Sequence, residues 1–390
     1  MRRVRLKKIG TFYSGLSGKS KSDFSEGNAL LVTYRNIFNN PVLNPAIKDT
    51  VVVGKDEKQN EVLWGDILIT GSSETPADAG MSSVVLFNPQ EKMYLNSFCF
   101  GFRLNDMNEA LPSYIGHLLR STSIRAAISK TAFGVTRFNV NRMRFADIEI
   151  PLPPLNIQKE IVSILDSFTS LIGKMKQEVE MRKKQMEYYR EKLMAPQTNW
   201  KIKTLGEIGT FTRGNGLQKS DFRVKGFPCV HYGQIHTYYN TCIYKTKSFC
   251  EEDLAKKLQK ASYGDLLIAT TSEDVKACCK AAVWFGAGDV AYSGDSFCYS
   301  HDQDPKYMAY LFQTEMFAKQ KQKAATGAKV IRVSGESMAS FSFAFPPLVQ
   351  QRQIASILDS FETYISKLEK MIELRQKQYE YYREKLLTFE

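Results

Sequence analysis

The chain has 390 residues, a 43% apolar fraction and a net charge of +12, which suits two or three folded domains. Its seven cysteines are odd in number and include no C-x-x-C pair, which argues against a disulfide framework and a zinc ribbon. No apolar run reaches the roughly 18 residues of a membrane span, and no signal-peptide pattern opens the chain, so we expect a cytoplasmic protein.

The excess positive charge is divided between two blocks. Residues 1–150 and 201–343 each hold 19 Lys and Arg against 14 Asp and Glu, and the segments that follow them are nearly neutral. A single basic block is compatible with solubility alone. Two equal blocks indicate a polyanion that is held at two places.

The first block, residues 1–152, is predicted to be an α+β domain, with strands at 66–69 and 83–87 and a helical stretch at 113–130. Arg suits guanine and Asn suits adenine, while Lys, Ser and Thr more often hold phosphates, so polar loop residues are candidate DNA contacts. Ordinary surface polarity is the alternative for each of them. The candidates in this block are Tyr34, Arg35, Asn36, Ser72, Thr136, Arg137, Asn139 and Arg142.

A long helix is predicted in residues 153–195. Pro153 and Pro154 open it, and the polar segment 195–199 ends it. Between them an apolar residue recurs at alternating steps of four and three, which is the coiled-coil pattern. The predicted seam residues are Ile161, Leu165, Phe168, Ile172, Met175 and Val179.

The second block, residues 196–345, has the same predicted character, with strands at 264–269 and 281–285 and a helical stretch at 305–323. Its candidate DNA contacts are His231, Tyr232, Gln234, Thr271, Ser272, His301, Lys329 and Arg332. Core packing is the alternative for Tyr34 and Tyr232, and a turn or core position is the alternative for His301.

Residues 346–390 repeat the first long helix. PPLNIQKEIVSILDSF from Pro153 returns as PPLVQQRQIASILDSF from Pro346, and EYYREKL returns unchanged, both at a shift of 193 residues. Gly134 and Gly327 match at the same shift. The second predicted seam is Ile354, Leu358, Phe361, Ile365, Leu368 and Ile372. Each half of the chain is therefore one globular domain followed by one helix.

This connectivity predicts an antiparallel helix pair. The first helix delivers the chain to the second domain, so a second helix that pairs with it runs back toward the start. About 38 helical residues span roughly 57 Å. We therefore expect two globular α/β domains, related by a pseudo-twofold axis and held apart by an antiparallel coiled coil.

Two features of the helices have alternative interpretations. Arg182 and Arg375 occupy matched seam positions, where they either extend into solvent or fix the register of the pair. Extra apolar residues beside the seam, at Ile164, Leu171, Ile357, Tyr364 and Met371, need a second surface to cover them. The adjacent domain is the favoured cover, and a partner subunit is the alternative.

Motifs for catalysis are not found. Asp66 and Asp265 each follow a glycine before an apolar strand but have no ligand-spaced neighbours, so a turn-capping role is favoured over metal binding. Gly18-Lys19-Ser20 resembles the end of a phosphate-binding loop, but Tyr13 stands where the first glycine is needed.

The doubled PPL-x-x-Q and ILD-x-F motifs, each followed by EYYREKL, resemble the conserved helical regions of type I restriction–modification specificity subunits. The second block, from Trp200 through SGDSFCYSHD and TGAKVIRVSGESM, also resembles that family's recognition domains. The resemblance implies two target-recognition domains that read a bipartite, asymmetric double-stranded DNA site, with the helices setting the gap.

The resemblance also implies a non-catalytic chain that works with two methyltransferase subunits and with restriction subunits. S-adenosylmethionine, ATP and magnesium are then expected on those partners, and no cofactor or metal on this chain. The alternatives are the recognition subunit of a related type II-like restriction–methylation enzyme, a coiled-coil adaptor protein, and a self-contained nuclease or methyltransferase.

Overall fold

The computed structural model describes residues 2–389, and the chain divides into two compact units. Unit 1 comprises residues 2–176 and 370–389, and unit 2 comprises residues 177–369. Each unit holds one globular domain, the adjoining half of one long helix and the far end of the other. The four predicted segments, 1–152, 153–195, 196–345 and 346–390, divide the chain differently, at the helix ends, and they stay predictions.

Within the described residues, unit 1 contains twelve short strands and five short helices. The strands are β1 Arg3–Arg5, β2 Gly10–Ser14, β3 Ala29–Val32, β4 Thr50–Val51, β5 Ile67–Thr70, β6 Ser72–Ser73, β7 Ser82–Val84, β8 Met93–Leu95, β9 Cys99–Leu104, β10 Ala132–Phe133, β11 Phe138–Val140 and β12 Glu149–Pro151. The helices are α1 Leu6–Ile9, α2 Tyr34–Asn39, α3 Pro112–Leu119, α4 Thr122–Ser129 and α5 Arg142–Ala146, with a 3-10 helix at Lys21–Phe24.

The globular part of unit 2 follows the same plan. Its strands are β13 Lys201–Thr204, β14 Gly209–Arg213, β15 Phe227–Val230, β16 Cys242–Ile243, β17 Ser248–Cys250, β18 Lys260–Ala261, β19 Leu266–Ala269, β20 Thr271–Ser272, β21 Lys280–Trp284, β22 Val290–Tyr292, β23 Ser296–His301, β24 Ile331–Arg332 and β25 Ser342–Phe345. Its helices are α7 Leu205–Ile208, α8 Tyr232–Thr237, α9 Glu252–Ala255, α10 Pro305–Leu311, α11 Glu315–Ala324 and α12 Gly335–Ala339, with a 3-10 helix at Lys219–Asp221.

The two long helices are α6 Leu155–Leu193, with 39 residues, and α13 Leu348–Leu387, with 40 residues. At about 1.5 Å per residue each is roughly 58–60 Å long. Both begin just after the proline pairs, which is where the sequence predicts them.

The sheets of the two domains have matching strand orders. The central sheet is β2-β9-β5-β7 in unit 1 and β14-β23-β19-β21-β16 in unit 2. The second sheet is β4-β3-β8 in unit 1 and β17-β15-β22-β18 in unit 2. In each domain the first and last strands also pair, as β1 with β12 and β13 with β25. The α+β class and the internal repeat are therefore confirmed.

The predicted strands are found with their bounds shifted by at most three residues, but each predicted helical stretch is two helices. In unit 1 the break falls at Ser121, whose backbone is extended before α4. In unit 2 it falls at Thr314, whose hydroxyl accepts a hydrogen bond from the backbone N–H of Phe317. Thr suits this N-terminal position because its oxygen satisfies an otherwise unpaired N–H, whereas the Ser121 hydroxyl donates to the carbonyl of Leu118 at 2.7 Å.

Asp66 and Asp265 both cap turns, as the sequence predicts. Asp66 accepts a hydrogen bond from the backbone N–H of Leu63 at 2.8 Å, and Asp265 accepts one from Ser262 at 2.8 Å. Asp66 is fully buried and also accepts two hydrogen bonds from Arg103, at 2.8 and 2.7 Å. The carboxylate thereby gains the paired cation that a buried charge requires.

The repeated glutamine of the PPL-x-x-Q motif attaches each domain to the first turn of its long helix. Gln158 is fully buried, accepts a hydrogen bond from the N–H of Leu111 at 2.9 Å, and donates to the carbonyls of Glu109 and Pro153 at 2.9 and 2.8 Å. The amide can make four hydrogen bonds, two as donor and two as acceptor, and three of them are therefore made inside the protein.

Gln351 attaches the domain of unit 2 to its long helix in the same way. It is fully buried, accepts from the N–H of Asp304 at 3.0 Å, and donates to Gln303 Oε1 and the carbonyl of Pro346 at 2.7 and 2.8 Å. A side chain that bonds both the domain and the start of the helix fixes the angle at which the helix leaves the domain.

The aspartate of the ILD-x-F motif makes a second matched contact with the domain. In unit 1 Asp166 Oδ1 lies 2.8 Å from Nε2 of His117 on α3. In unit 2 Asp359 Oδ1 accepts a hydrogen bond of 3.2 Å from the hydroxyl of Tyr310 on α10. His117 and Tyr310 are matched positions at the shift of 193, so the aspartate is kept while its partner has changed.

The long helices pack antiparallel through the predicted seam. In unit 2 the rings of Tyr189 and Phe361 stack at 5.6 Å, while Lys183 lies 2.9 Å from Glu369, so higher numbers on α6 meet lower numbers on α13. In unit 1 the ring of Phe168 stacks on Tyr382 at 5.5 Å. Nine of the twelve predicted seam residues are buried: Ile161, Leu165, Ile172, Met175, Val179, Ile354, Leu358, Ile365 and Leu368. The other three, Phe168, Phe361 and Ile372, are half-buried.

Arg182 contacts the opposite helix instead of extending into solvent. Its guanidinium lies 5.3 Å from the ring of Tyr364 and is hydrogen-bonded to Glu178 and Gln185 on its own helix. Within residues 2–389, the side-chain hydrogen bond found for the matched Arg375 is to Gln378, which lies less than one turn away on its own helix. The register interpretation therefore fits Arg182, and the two copies differ at this position.

The apolar positions beside the seam are not covered by the adjacent domain, so that expectation is wrong. Ile164 and Leu171 in unit 1 are 42% and 41% exposed, and Ile357 and Tyr364 in unit 2 are 43% and 42% exposed. We call each of these pairs an outer stripe. Both stripes flank the seam, and Tyr364 also contacts Arg182 and Glu178 across it. Met371, at the far end of α13, is 46% exposed.

Two further findings concern the part of the chain from residue 2 to residue 389. No helix there combines the length and the apolar character needed to cross a membrane. In the same range, no three His, Cys, Asp or Glu side chains gather closely enough to hold a metal ion.

Replacing Gln158 by Leu should destabilise unit 1. Three backbone groups, all buried or half-buried, lose their partner, and each costs about 1–3 kcal/mol when unsatisfied, so we expect a total of at least about 3 kcal/mol. Chemical denaturation measures the loss, and hydrogen exchange should accelerate around residues 109–111 and 153–158. Asn156→Ala, at an exposed position of the same turn, is the control. Equal stability of the two variants would contradict the proposed role of Gln158.

Candidate DNA interface

Each domain carries a small β-ribbon separate from its main sheets. In unit 1 it consists of β10, β11 and β6, with the turn Gly134–Arg137 between β10 and β11. In unit 2 it consists of β20 and β24, with the turn Gly327–Val330 before β24. We call them ribbon 1 and ribbon 2. Four of the predicted contacts pair across the strands at matched places: Ser72 lies opposite Asn139, and Thr271 lies opposite Arg332.

Glycine is required at the start of both turns. Gly134 has φ +126° and Gly327 has φ +102°, values that L side chains rarely adopt. A Cβ atom at either position would lie 2.1 Å from a backbone oxygen across the turn, that of Arg137 or of Val330. The matched glycines found in the sequence therefore create the same tight turn in both domains.

Ribbon 1 borders a hollow of about 600 Å³ that brings together four predicted contacts, Tyr34, Ser72, Thr136 and Arg137. Arg137 is held in place there. Its Nε donates to the hydroxyl of Ser72 at 3.0 Å, and its guanidinium lies 4.9 Å from the ring centroid of Phe98. These contacts fix the guanidinium at the rim of the hollow, where a planar donor group can meet a base or a phosphate.

The other predicted residues of unit 1 have different surroundings. Tyr34 is half-buried against the core and stacks on Phe38 at 5.7 Å, which fits the core alternative. Asn36 uses its amide to hold the loop at Asn44, accepting from its N–H at 3.1 Å and donating to its carbonyl at 3.0 Å. Arg35 is exposed. Arg142 donates to the hydroxyl of Ser14 at 2.9 Å.

In unit 2 His231 and Gln234 are engaged in capping helix α8. Nδ1 of His231 accepts from the N–H of Gly233 at 3.2 Å, and Gln234 accepts from the N–H of His231 at 3.1 Å. Burial lowers the pKa of His231 below its usual value of 6.5, so the imidazole is neutral at pH 7. Tyr232 packs against the core. These three residues therefore position the backbone, and their contact with DNA stays a prediction.

The remaining predicted residues of unit 2 divide into buried and exposed ones. Thr271 is buried and donates to Asp295 at 3.3 Å, while Ser272 is half-buried. His301 accepts from the N–H of Gln303 at 3.2 Å, and burial lowers its pKa, so the turn alternative fits it. Lys329 and Arg332 are exposed on ribbon 2.

Sequence reasoning missed two residues beside these sites. Phe98 is 57% exposed and lies beneath Arg137. Arg213 lines a hollow of about 390 Å³ in unit 2, next to His231 and Tyr232, where its Nε donates to the carbonyl of Gly294 at 3.1 Å. In the sequence Phe98 stands in an SFC segment that recurs in the second half and has no signal of DNA contact. An exposed aromatic residue within it becomes recognisable only when its place beside Arg137 is known.

A family model described as the type I restriction modification DNA specificity domain matches the chain twice, over residues 2–181 and 197–376. The chain belongs to the family of type I restriction–modification specificity subunits. Both matches include one globular domain and most of the long helix that follows it.

Individual relatives agree with this assignment. A protein of Haemophilus influenzae named as a putative type I restriction enzyme specificity subunit is 30% identical over 272 residues, covering 66% of this chain and 68% of that protein. The specificity subunit of the type I restriction enzyme EcoR124I/EcoR124II of Escherichia coli is 28% identical over 256 residues, covering 62% of this chain and 63% of that protein.

Solved structures show the same fold. The type I restriction–modification S subunit of M. genitalium has a TM-score of 0.57 at 15% identity, covering 100% of this chain and 96% of that one. A chain from a study of complex assembly and conformational transition of the type I restriction–modification system has a TM-score of 0.58 at 14% identity, covering 99% and 97%. The two specificity domains of this subunit fit the recognition of a bipartite site.

Replacing Gly134 by Ala should disrupt ribbon 1 alone. The added Cβ meets the Arg137 oxygen and the backbone must leave its positive φ, at a cost of about 1–3 kcal/mol. We expect faster hydrogen exchange over residues 132–140 and weaker DNA binding by the assembled enzyme. Gly173→Ala, in helix α6 with nothing within 4 Å of the new Cβ, is the control and should bind DNA normally. Unchanged exchange and affinity in Gly134→Ala would contradict the role assigned to the turn.

Proposed function

We propose that this chain is the DNA-reading subunit of a type I restriction–modification enzyme, and that each domain reads one half of a bipartite, asymmetric site. The observation that carries the proposal is the ribbon pair. Both domains present a ribbon with the same glycine turn and a matched strand pair, but the side chains on the two ribbons differ. Two dissimilar readers on one chain would select two different half-sites.

The ribbons have a suitable size and charge for this task. A two-stranded ribbon fits the major groove of B-DNA, which is about 12 Å wide and carries the full base code. Lys329 and Arg332 on ribbon 2, and Arg137 on ribbon 1, are exposed cations. The equal net charge of the two blocks supplies the phosphate attraction that any sequence-specific reader needs.

We further propose that the two long helices set the length of the unread gap. Both are continuous, with 39 and 40 residues, and they pack through a buried apolar seam. The buried glutamines attach each helix to its domain in the same way. A helical connection of fixed length would hold the spacing between two half-sites constant.

Two methyltransferase subunits would occupy the two outer stripes. The stripes lie at matched positions, since Ile164 corresponds to Ile357 and Leu171 to Tyr364 at the shift of 193. Apolar helix faces that remain about 40% exposed are suited to burial against a partner. Because the surface occurs twice, we infer two partner copies for each specificity subunit.

The chemistry would then belong to the partners. We propose that S-adenosylmethionine binds the methyltransferase subunits and that ATP and magnesium serve the restriction subunits. This chain would contribute recognition and assembly but no catalytic group. Its work on genomic DNA would place it in the cytoplasm.

Domain exchange tests whether each domain reads one half-site. Replacing residues 1–152 by the matching segment of another specificity subunit should change one half of the methylated motif and leave the other half and the gap intact. Methylation mapping of cells that carry each version provides the readout. Restoring the original 1–152 segment is the control. A change in both halves, or in neither, would overturn the proposal.

The stripe assignment can be tested separately. The double variant Ile164→Glu/Leu171→Glu should lose one of two bound methyltransferase subunits, and Ile357→Glu/Tyr364→Glu should lose the other, because a buried carboxylate without a partner is strongly unfavourable. Native mass spectrometry counts the bound subunits. Val224→Glu, at a side chain that is 89% exposed outside both stripes, is the control. Retention of two partners in both double variants would contradict the assignment.

A further inference from the structure

Asn139 and Arg332 occupy one and the same position of the repeated ribbon. Asn139 on β11 lies opposite Ser72 on β6, and Arg332 on β24 lies opposite Thr271 on β20. Both residues stand five positions after the glycine that opens the turn, Gly134 or Gly327. The strand pairing and the distance from the turn therefore both show that Asn139 and Arg332 are equivalent positions. The two residues differ in type and in charge.

Both side chains point away from the domain. Successive side chains of a strand alternate between faces, and here Val140 and Val333, the next residues along, are buried while Asn139 and Arg332 are exposed. In both ribbons the polar side chain thus faces outward, while the residue that follows it is buried in the domain.

Both polar groups are also available to a ligand. Among the hydrogen bonds and ion pairs found within residues 2–389, none involves the amide of Asn139 or the guanidinium of Arg332. Nearby candidates differ in this respect. Arg137 is bonded to Ser72, and Arg142 is bonded to Ser14. An exposed polar group that the protein leaves unused can read a base without first breaking an internal bond.

The chemistry of the two side chains favours different bases. An asparagine amide can donate to adenine N7 and accept from its N6 amino group, whereas an arginine guanidinium can donate to both O6 and N7 of guanine. Each such bidentate pair discriminates against the wrong base by about 5- to 150-fold. A difference at one matched position would thus change the half-site that each domain prefers.

We propose that this ribbon position reads one base in each half-site, with Asn139 selecting adenine in the half read by unit 1 and Arg332 selecting guanine in the half read by unit 2. The inference rests on the proposed function and names the bases that two of its residues recognise. Lys329 and Thr136, at the turn tips, then serve the phosphates on either side.

Reciprocal substitution tests the proposal. The enzyme assembled with its methyltransferase partner is used to select binding sites from a random duplex library, for the wild type, Asn139→Arg and Arg332→Asn. We expect Asn139→Arg to replace an adenine by a guanine at one position of one half-site. Arg332→Asn should replace a guanine by an adenine at one position of the other half-site, and the remaining positions and the gap should stay unchanged.

Alanine variants provide a second test in case the arginine at position 139 or the asparagine at position 332 does not fit against the DNA. Asn139→Ala and Arg332→Ala should make the same single positions degenerate, with about 5- to 150-fold less discrimination there. Asn156→Arg and Arg352→Asn, at exposed positions of the long helices, make the same changes of charge away from the ribbons and should leave the selected motif unaltered.

The outcomes separate this inference from the proposed function. If the wild type selects a bipartite motif and all four ribbon variants select the identical motif, the reading assigned to Asn139 and Arg332 is wrong while the proposed function stands. If a ribbon variant alters both half-sites together, the assignment of one residue to each half is also wrong. If the wild type selects no motif, the proposed function itself fails.

Discussion

The attachment of each domain to its long helix by a buried glutamine is the constraint on which the arrangement of each unit depends. Gln158 and Gln351 have no exposed surface, and each bonds two groups of the domain together with the carbonyl that precedes the helix. Breaking such a group away from its partners leaves several buried polar atoms unsatisfied. The direction of the helix is therefore tied to the domain that precedes it.

The aspartate about two turns further along each helix adds a second attachment point whose partner has diverged. Asp166 meets His117 in unit 1, and Asp359 meets Tyr310 in unit 2. The aspartate on the helix is the same residue in both copies, whereas its partner on the domain differs. The same asymmetry appears on the ribbons, where backbone geometry is shared and the outward side chains differ. The duplicated scaffold therefore preserves the attachment of helix to domain while the exposed side chains of the ribbons differ.

Burial divides the predicted DNA contacts into two groups. Asn36, His231, Gln234 and Thr271 use their polar atoms within the protein itself. Asn139, Lys329 and Arg332 remain exposed on ribbons built around required glycines. Arg137 lies between these groups, since Ser72 and Phe98 hold it while its outer nitrogens face the hollow. The structure thus separates the predicted contacts whose polar atoms are used inside the protein from those that each domain leaves exposed on its own ribbon, and their contact with DNA stays a prediction.

The repeat, the α+β class, the two long helices and their seam follow from the order of the residues alone, because hydrophobic spacing and an exact shift of 193 residues need no knowledge of distant contacts. The capping role of Asp66 and Asp265 could be predicted in the same way, since a turn needs only local partners. Three other features became known only from the folded chain: the pairing of Ser72 with Asn139 and of Thr271 with Arg332, the place of Phe98 under Arg137, and the exposure of the outer stripes. Each depends on which residues far apart in the chain come into contact. The local preferences of a sequence for helix, strand or turn do not determine those contacts.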